Sequence, residues 1–263
     1  MTVPTTRDTP GASARWVRRP HPVAEPRTRL VCLPAAGGTA SAYYTWAARL
    51  PERVELLSVQ YPGHQDRFAE PCLPSVPELA DALTAALAPY ADRPLHLFGH
   101  SLGAMVAYEV AVRLEAGAGP GPVSVFVSGA YAPQRAVPYP EELTDAELEE
   151  DIRAFSWLEP EVLDVPALRE LVLPSLMNDI RAAMIYRPTE VVRLRCPVFS
   201  YGGSEDRTGS PEELSAWRDV SSGTAAWRQF DGDHFYLRAH EAELVADIAA
   251  RMSDCSQETV GHG

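Results

Sequence analysis

Leu95-His96-Leu97-Phe98-Gly99-His100-Ser101-Leu102-Gly103-Ala104 is an apolar run that enters Gly-x-Ser-x-Gly and leaves it as a helix. Beyond the motif, Val106, Val110 and Leu114 recur at four-residue spacing, and Gly117 supplies a stop. A strand that becomes a helix within so few residues leaves no room for flanking side chains, which accounts for Gly99 and Gly103. Such a turn holds the serine in a strained conformation with its hydroxyl projecting outward. The helix amino terminus behind it adds partial positive charge, which favours a developing oxyanion. Ser101 is therefore the expected nucleophile.

On either side, short apolar runs alternate with helical segments. The runs are Leu30–Leu33, Val54–Val59, Leu95–Phe98, Val123–Ser128, Val198–Tyr201 and Ala226–Phe230. Their length and their Pro or Gly boundaries suit buried strands of a parallel sheet. Helices are predicted over Ala40–Leu50, Val76–Tyr90, Gly103–Ala116, Pro211–Val220 and Glu241–Met252. This alternation predicts a doubly wound, mostly parallel α/β sheet, and with the serine turn it predicts an α/β-hydrolase fold. From about Pro133 to Pro188 the pattern breaks. No strand is evident there, and Thr144–Phe155 and Ala167–Ile185 read as helices, the second interrupted or kinked at Pro174. The expected domain spans 27–255, with a helical lid at about 133–188, a disordered leader over 1–26 and a flexible tail over 256–263.

A serine hydroxyl needs a base, and the chain offers seven histidines. His21 and His262 lie in the tails, His96 lies within a strand, and His100 is the variable residue of the motif. His64 follows an early strand, but the chain order in this fold is Ser, acid, His. His234, in the polar turn Asp231-Gly232-Asp233-His234-Phe235 after the last strand, is preferred over His240 at the start of the last helix. The acid orients the histidine and stabilises its charged form. The strand after the nucleophile's helix leads into Ser128–Pro133, which holds no carboxylate. The next leads into Gly202-Gly203-Ser204-Glu205-Asp206-Arg207, so Asp206 is the leading acid and Glu205 its local rival. Asp231 and Asp233 read as turn formers. The oxyanion requires two backbone N–H groups: Leu102 supplies one, and the Gly-rich turn Pro34-Ala35-Ala36-Gly37-Gly38 the other, with Ala36 the chosen donor. That turn lacks the Lys-Ser/Thr of a phosphate loop and contains no G-x-G-x-x-G.

Composition narrows the partners. Thirty-six acidic against 23 basic residues leave a formal charge of −13. That balance opposes non-specific nucleic-acid binding and docking on an anionic membrane. No segment approaches the roughly 18 consecutive apolar residues of a membrane span, and none has signal-peptide character. Cys32, Cys72, Cys196 and Cys255 show no metal-ligand spacing. The expectation is a reduced, cytoplasmic, monomeric protein with no metal and no cofactor.

These motifs resemble those of the type II thioesterases that accompany polyketide synthases and non-ribosomal peptide synthetases. The resemblance runs from about Leu30 to Met252. It rests on Leu33-Pro34-Ala35-Ala36-Gly37-Gly38, Val59-Gln60-Tyr61-Pro62-Gly63-His64-Gln65-Asp66-Arg67, Phe98–Ala104, the Gly202–Asp206 turn and Gly232-Asp233-His234-Phe235-Tyr236-Leu237. The Tyr-Pro-Gly-x-x-x-Arg segment is more selective than Gly-x-Ser-x-Gly alone. The resemblance implies a triad of Ser101, Asp206 and His234, an oxyanion hole at Ala36 and Leu102, and a mobile lid in the helical insertion. It implies an editing hydrolase that removes stalled or mis-primed acyl groups from the phosphopantetheine arm of acyl or peptidyl carrier proteins. Three departures stand out: Ala35 where histidine is common, His64 where arginine is frequent, and Arg207 where proline is frequent. Carrier proteins are usually acidic, so a local basic patch is expected for docking, with Arg187, Arg193 and Arg195 as candidates. The competing readings are a carboxylesterase, a cyclising chain-releasing thioesterase and a catalytically silent binding module.

Overall fold

Side chains alternate between the two faces of a strand, and this alternation divides the apolar runs between two cores. The computed structural model describes residues 11–136, 143–154 and 164–260. Its strands are β1 (Val17–Arg18), β2 (Thr28–Leu33), β3 (Val54–Val59), β4 (Leu95–His100), β5 (Ser124–Ser128), β6 (Val198–Gly203) and β7 (Ala225–Phe230). They form one sheet in the order β1-β3-β2-β4-β5-β6-β7. β1 runs antiparallel to β3, and every other pairing is parallel.

The helices are α1 (Gly11–Trp16), α2 (Val76–Leu87), α3 (Leu102–Ala116), α4 (Asp145–Ala154), α5 (Pro166–Ile185), α6 (Pro211–Ala216) and α7 (Glu241–Val260). Val31, Leu33, Leu57, Val59, Leu97, Val125 and Val127 bury one face of the sheet with α2, α3 and α5. Leu30, Cys32, Leu56, Phe98, Phe126 and Phe199 bury the other with Tyr43, Trp46 and α7. Aromatic rings dominate that second core, where Phe126 and Phe199 stack at 5.3 Å. No helix among the described residues is long and apolar enough to cross a membrane.

Local chemistry starts the helices. Ser75 caps α2 by accepting from the Glu78 N–H, and its hydroxyl donates to the Glu78 carboxylate. At α4 the Thr144 hydroxyl accepts from the Glu147 N–H while the Glu147 carboxylate accepts from the Thr144 N–H, a reciprocal capping box. Where tertiary packing rules, the sequence pattern was less exact. Ala40–Ala48 is a 3-10 segment rather than an α-helix. α5 runs without a break through Pro174. Both helices of the expected lid are present, while residues 137–142 and 155–163 of it lie outside the described residues.

Both expected tails are more structured than composition suggested. Residues 1–10 and 261–263 lie outside the described residues. From Gly11 the supposed leader is built into the fold: α1 leads into β1, and the Trp16 carbonyl accepts from the Gln60 N–H at 2.8 Å. The Arg67 guanidinium lies 4.8 Å from the Trp16 ring. A two-residue strand has no periodicity to detect, yet it covers the sheet edge that β3 would otherwise expose. At the other end, α7 continues beyond residue 255 to Val260.

Under this edge lies a buried charge cluster. Glu55 is fully buried and accepts from Arg19 (2.5 Å), Arg29 (2.8 Å) and the Val23 N–H (3.2 Å). Burial alone would raise its pKa, but the two guanidinium groups and the Val23 N–H outweigh it and hold the carboxyl below its ordinary value. Glu55→Ala removes the fully buried one of Arg29's two carboxylate partners, leaving it Asp92 and the Tyr90 carbonyl, and should cost about 1–3 kcal/mol in urea unfolding. Because the folded pKa is depressed, this contribution is present above the unfolded value of about 4.3 and disappears as pH falls through the folded one. A loss below about 1 kcal/mol would reduce the cluster to the rank of a surface pair.

Candidate active site

β3 and β4 flank β2 on opposite sides, so the sheet changes winding direction between β2 and β4. Ligands in open α/β sheets bind at the carboxyl ends of strands beside such a switch point. The Gly-rich turn leaves β2 there, and Ser101 leaves β4 beside it, since Leu33 pairs with Gly99. Asp206 and His234 follow the carboxyl ends of β6 and β7 on the same edge.

Ser101 has φ 56° and ψ −120°. Positive φ is unusual for a residue with a side chain, and strain of this kind is worth about 1–3 kcal/mol. Packing enforces the turn. A Cβ on Gly99 would meet the Gly103 carbonyl oxygen at 2.0 Å, and one on Gly103 would meet the Leu33 carbonyl oxygen at 2.2 Å. The Ser101 N–H donates to the Ser128 carbonyl at 2.7 Å. Next to Ser128, Gly129 (φ +59°) admits two imidazoles, for a Cβ there would lie 2.7 Å from His100 Cε1 and 3.1 Å from His234 Cε1.

His234 Nδ1 lies 2.7 Å from Asp206 Oδ2. Thr208 completes the acid's surroundings, its N–H donating to Oδ1 at 3.1 Å and its hydroxyl to Oδ2 at 2.6 Å. Burial raises the Asp206 pKa, but hydrogen bonds from His234 and Thr208 outweigh it, and the carboxyl sits below its ordinary value. An ionised Asp206 makes Nδ1 of His234 the protonated nitrogen, leaving Nε2 as the atom that can accept a proton. The rival Glu205 is exposed, and its N–H is spent on the Gly232 carbonyl. Asp233 accepts from the Phe235 N–H at 2.8 Å, the turn-forming role expected of it. His240 stands at the start of α7 with its Nδ1 3.7 Å from Glu243.

The oxyanion loop is narrowed by its own hydrogen bonds. The Gly37 N–H donates to Asp179 Oδ2 at 2.9 Å, and the Gly38 N–H to the Ala35 carbonyl at 2.9 Å. Those two donors are thereby removed from candidacy. Neither the Ala36 nor the Leu102 N–H donates to an acceptor among the described residues.

Two arrangements escaped the sequence reading. Beneath His234 is a buried chain in which His100 Nδ1 contacts Ser128 Oγ (3.0 Å) and Ser128 Oγ contacts Tyr236 Oη (2.7 Å). The His100 ring lies 4.9 Å from that of His234. Burial, with His234 adding to it, pushes the His100 pKa well below its ordinary value, so the ring is neutral. The second is the pair His64–Asp179, both nearly inaccessible, whose partners stand 115 residues apart. Two of the three suggested docking arginines lie away from this edge. Arg193 and Arg195 precede β6 at the opposite end of the sheet, where Arg195 pairs with Glu115 (3.4 Å) and Arg193 donates to the Ser221 carbonyl.

A family model described as "Thioesterase domain" matches residues 28–252. Thioesterase PikA5 of Streptomyces venezuelae is 42% identical over 245 residues, covering 91% of this chain and 86% of that protein. Among solved structures, the type II thioesterase BorB from the borrelidin biosynthetic cluster matches with a TM-score of 0.81 at 36% identity, covering 90% of this chain and 97% of that one. YbtT, a type II thioesterase from the yersiniabactin NRPS/PKS pathway, matches with a TM-score of 0.80 at 29% identity, covering 91% and 99%.

Proposed function

The chain belongs to the thioesterase domain family, and from that premise we propose that it is an editing enzyme of a polyketide or non-ribosomal peptide assembly line. Its substrates are aberrant or stalled acyl groups held on the phosphopantetheine thiol of acyl or peptidyl carrier proteins. It acts in the cytoplasm as a monomer, without metal or cofactor. The observation that carries the reading is the strained Ser101 turn on the same sheet edge as the Asp206–His234 pair, in a chain similar over most of its length to type II thioesterases.

The residues suffice for hydrolysis. Ser101 Oγ attacks the thioester carbonyl while His234 Nε2 takes its proton, and Asp206 stabilises the imidazolium that results. Charge collects on the carbonyl oxygen, where the Ala36 and Leu102 N–H groups stabilise it. Collapse expels the thiolate, a good leaving group because thiols of cysteine type ionise near pH 8.5 (about) rather than far into the alkaline range. The proton held by His234 returns to that sulfur. His234 then removes a proton from water, which attacks the acyl-serine carbonyl; as the acyl–Oγ bond breaks, His234 returns that proton to Ser101 Oγ, and the carboxylic acid departs. One water is consumed, and one thiol and one acid are formed. The helical insertion serves as the lid over this edge.

Competition between an acyl-loaded carrier protein and the matching simple oxygen ester tests the substrate class. The carrier thioester should show a kcat/KM at least about tenfold higher, since remote binding energy adds to transition-state stabilisation. Preference for the oxygen ester would identify a carboxylesterase, and a lactone or lactam product would identify a cyclising enzyme.

A further inference from the structure

Among the described residues, the carboxylate of Asp179 is the one buried charge that ties α5 to the oxyanion loop. Its Oδ2 accepts from the Gly37 N–H and from His64 Nε2, each at 2.9 Å, and it is 2% exposed. His64 Nδ1 faces the Pro62 carbonyl at 2.9 Å. A carbonyl only accepts, so Nδ1 carries a proton. Opposite an ionised Asp179, Nε2 carries one as well, and the ring is an imidazolium. Leu176, three residues before Asp179, presses on the same loop: a Cβ on Gly37 would meet its Cδ1 at 2.8 Å. Gly37 has φ +67° and follows Ala36 directly, so its held N–H fixes the plane of the Ala36–Gly37 peptide and thereby the rest of Ala36.

We propose that His64 and Asp179 are positioning residues for the oxyanion hole, an ion pair that aims the Ala36 N–H and holds it only while His64 is protonated. Loss of either ring proton removes the positive charge opposite the buried Asp179 carboxylate and sets a nitrogen lone pair against an acceptor at 2.9 Å, the Pro62 carbonyl or Asp179 itself. The clamp would then loosen, and oxyanion stabilisation with it. Burial opposes the imidazolium, but Asp179 and the Pro62 carbonyl outweigh it and raise the His64 pKa above its ordinary value. The other groups facing the pair are Arg67, whose fixed charge opposes protonation, the Tyr61 hydroxyl and the Cys72 thiol. Burial pushes the last two upward, away from the ordinary range of their ionisation. The sign follows: the clamp holds at low pH and fails as pH rises through the His64 pKa.

This inference rests on Ser101 and the Ala36 donor acting as proposed above, but not on the carrier substrate. The measurements are kcat and KM on a small acyl thioester of N-acetylcysteamine from pH 6 to 9.5, with the rate of fluorophosphonate labelling of Ser101 in parallel. Both need the oxyanion site and neither involves a carrier protein, so failure of the carrier reading leaves both readable. Wild-type protein should lose kcat and labelling rate on the alkaline side through one ionisation. H64Q, which keeps an N–H donor without titrating, should lack that alkaline limb. H64F and D179N should lower kcat by about tenfold or more, short of the ~10²–10³ for deleting an oxyanion donor outright, with KM within about twofold. A wild-type profile flat to pH 9.5 overturns the proposal, as does an alkaline limb that survives in H64Q. So does kcat within twofold of wild type in folded H64F and D179N. Should either of these fail to fold, the limb in H64Q decides alone.

Discussion

Ser101→Ala should abolish fluorophosphonate labelling and lower thioester turnover on the order of 10⁴–10⁶-fold, the range seen when a serine nucleophile is removed from an intact triad. The effect is large because every later step depends on the acyl-serine. Without Oγ, the polarised carbonyl can be attacked only by water, which lacks the entropic advantage of an attached nucleophile. KM should change little, since the acyl group and the oxyanion donors are untouched. Stability provides an independent reading of the same turn. Alanine keeps the cost of φ 56°, whereas Ser101→Gly removes the Cβ that makes it costly. The glycine variant should therefore be equally inactive yet more stable than the alanine variant by about 1 kcal/mol in urea unfolding. Full labelling of either variant would place the nucleophile elsewhere.

Some of this site is visible to local reading because local sterics wrote it. Gly99 is demanded by the Gly103 carbonyl within a single strand-turn-helix, and Gly103 by the Leu33 carbonyl of the neighbouring strand, yet both fall inside the motif, so the motif and its chemistry coincide. Asp206 and His234 are legible at one remove, through the order of strands and the turns that follow them. The Glu205 alternative could not be closed that way, because adjacent residues of a loop differ in direction and only geometry separates them. His64 and Asp179 show the limit. Each side chain is unremarkable in its own segment, and their pairing depends on where α5 comes to rest over the sheet edge. His64 lies on the catalytic side, and chain order argues against it as the base, but nothing near it in sequence points to a carboxylate on α5. The same reasoning explains β1 and α1. A Pro- and Arg-rich segment reads as disordered by composition, while its order comes from Trp16 on Tyr61 and Arg18 on Asp66, contacts made to a different part of the chain.

Asp206→Asn tests the acid in a way that removing the nucleophile cannot. All three groups that meet the Asp206 carboxylate can donate: His234 Nδ1–H and the Thr208 hydroxyl at Oδ2, and the Thr208 N–H at Oδ1. An amide offers one acceptor where the carboxylate offers two. If its NH₂ takes the place of Oδ1, it confronts the Thr208 N–H, a clash of donors that a backbone group cannot relieve. If it takes the place of Oδ2, the hydroxyl of Thr208 can rotate to accept, and His234 must then present a bare Nδ1. The second arrangement is the less costly, and it moves the imidazole proton to Nε2, the nitrogen that must be empty to act as base. The expected loss is about 10⁴ in kcat, the cost of this wrong tautomer in serine hydrolases generally, with a nearly unchanged KM. Unlike Ser101→Ala, the variant should still be labelled by fluorophosphonate, slowly, because Ser101 remains. The depressed pKa of Asp206 supplies a second readout. The wild type gains stability from this group above the unfolded pKa of about 3.9 and loses it as pH falls through the folded value. Asp206→Asn should remove that part of the acid limb of stability, while Glu205→Gln should leave both turnover and the acid limb as they are. Retention of more than about a tenth of kcat in Asp206→Asn, against a collapse in Glu205→Gln, would transfer the role to the neighbouring carboxylate, for a neutral group holding His234 in the wrong tautomer cannot support turnover near the wild-type rate.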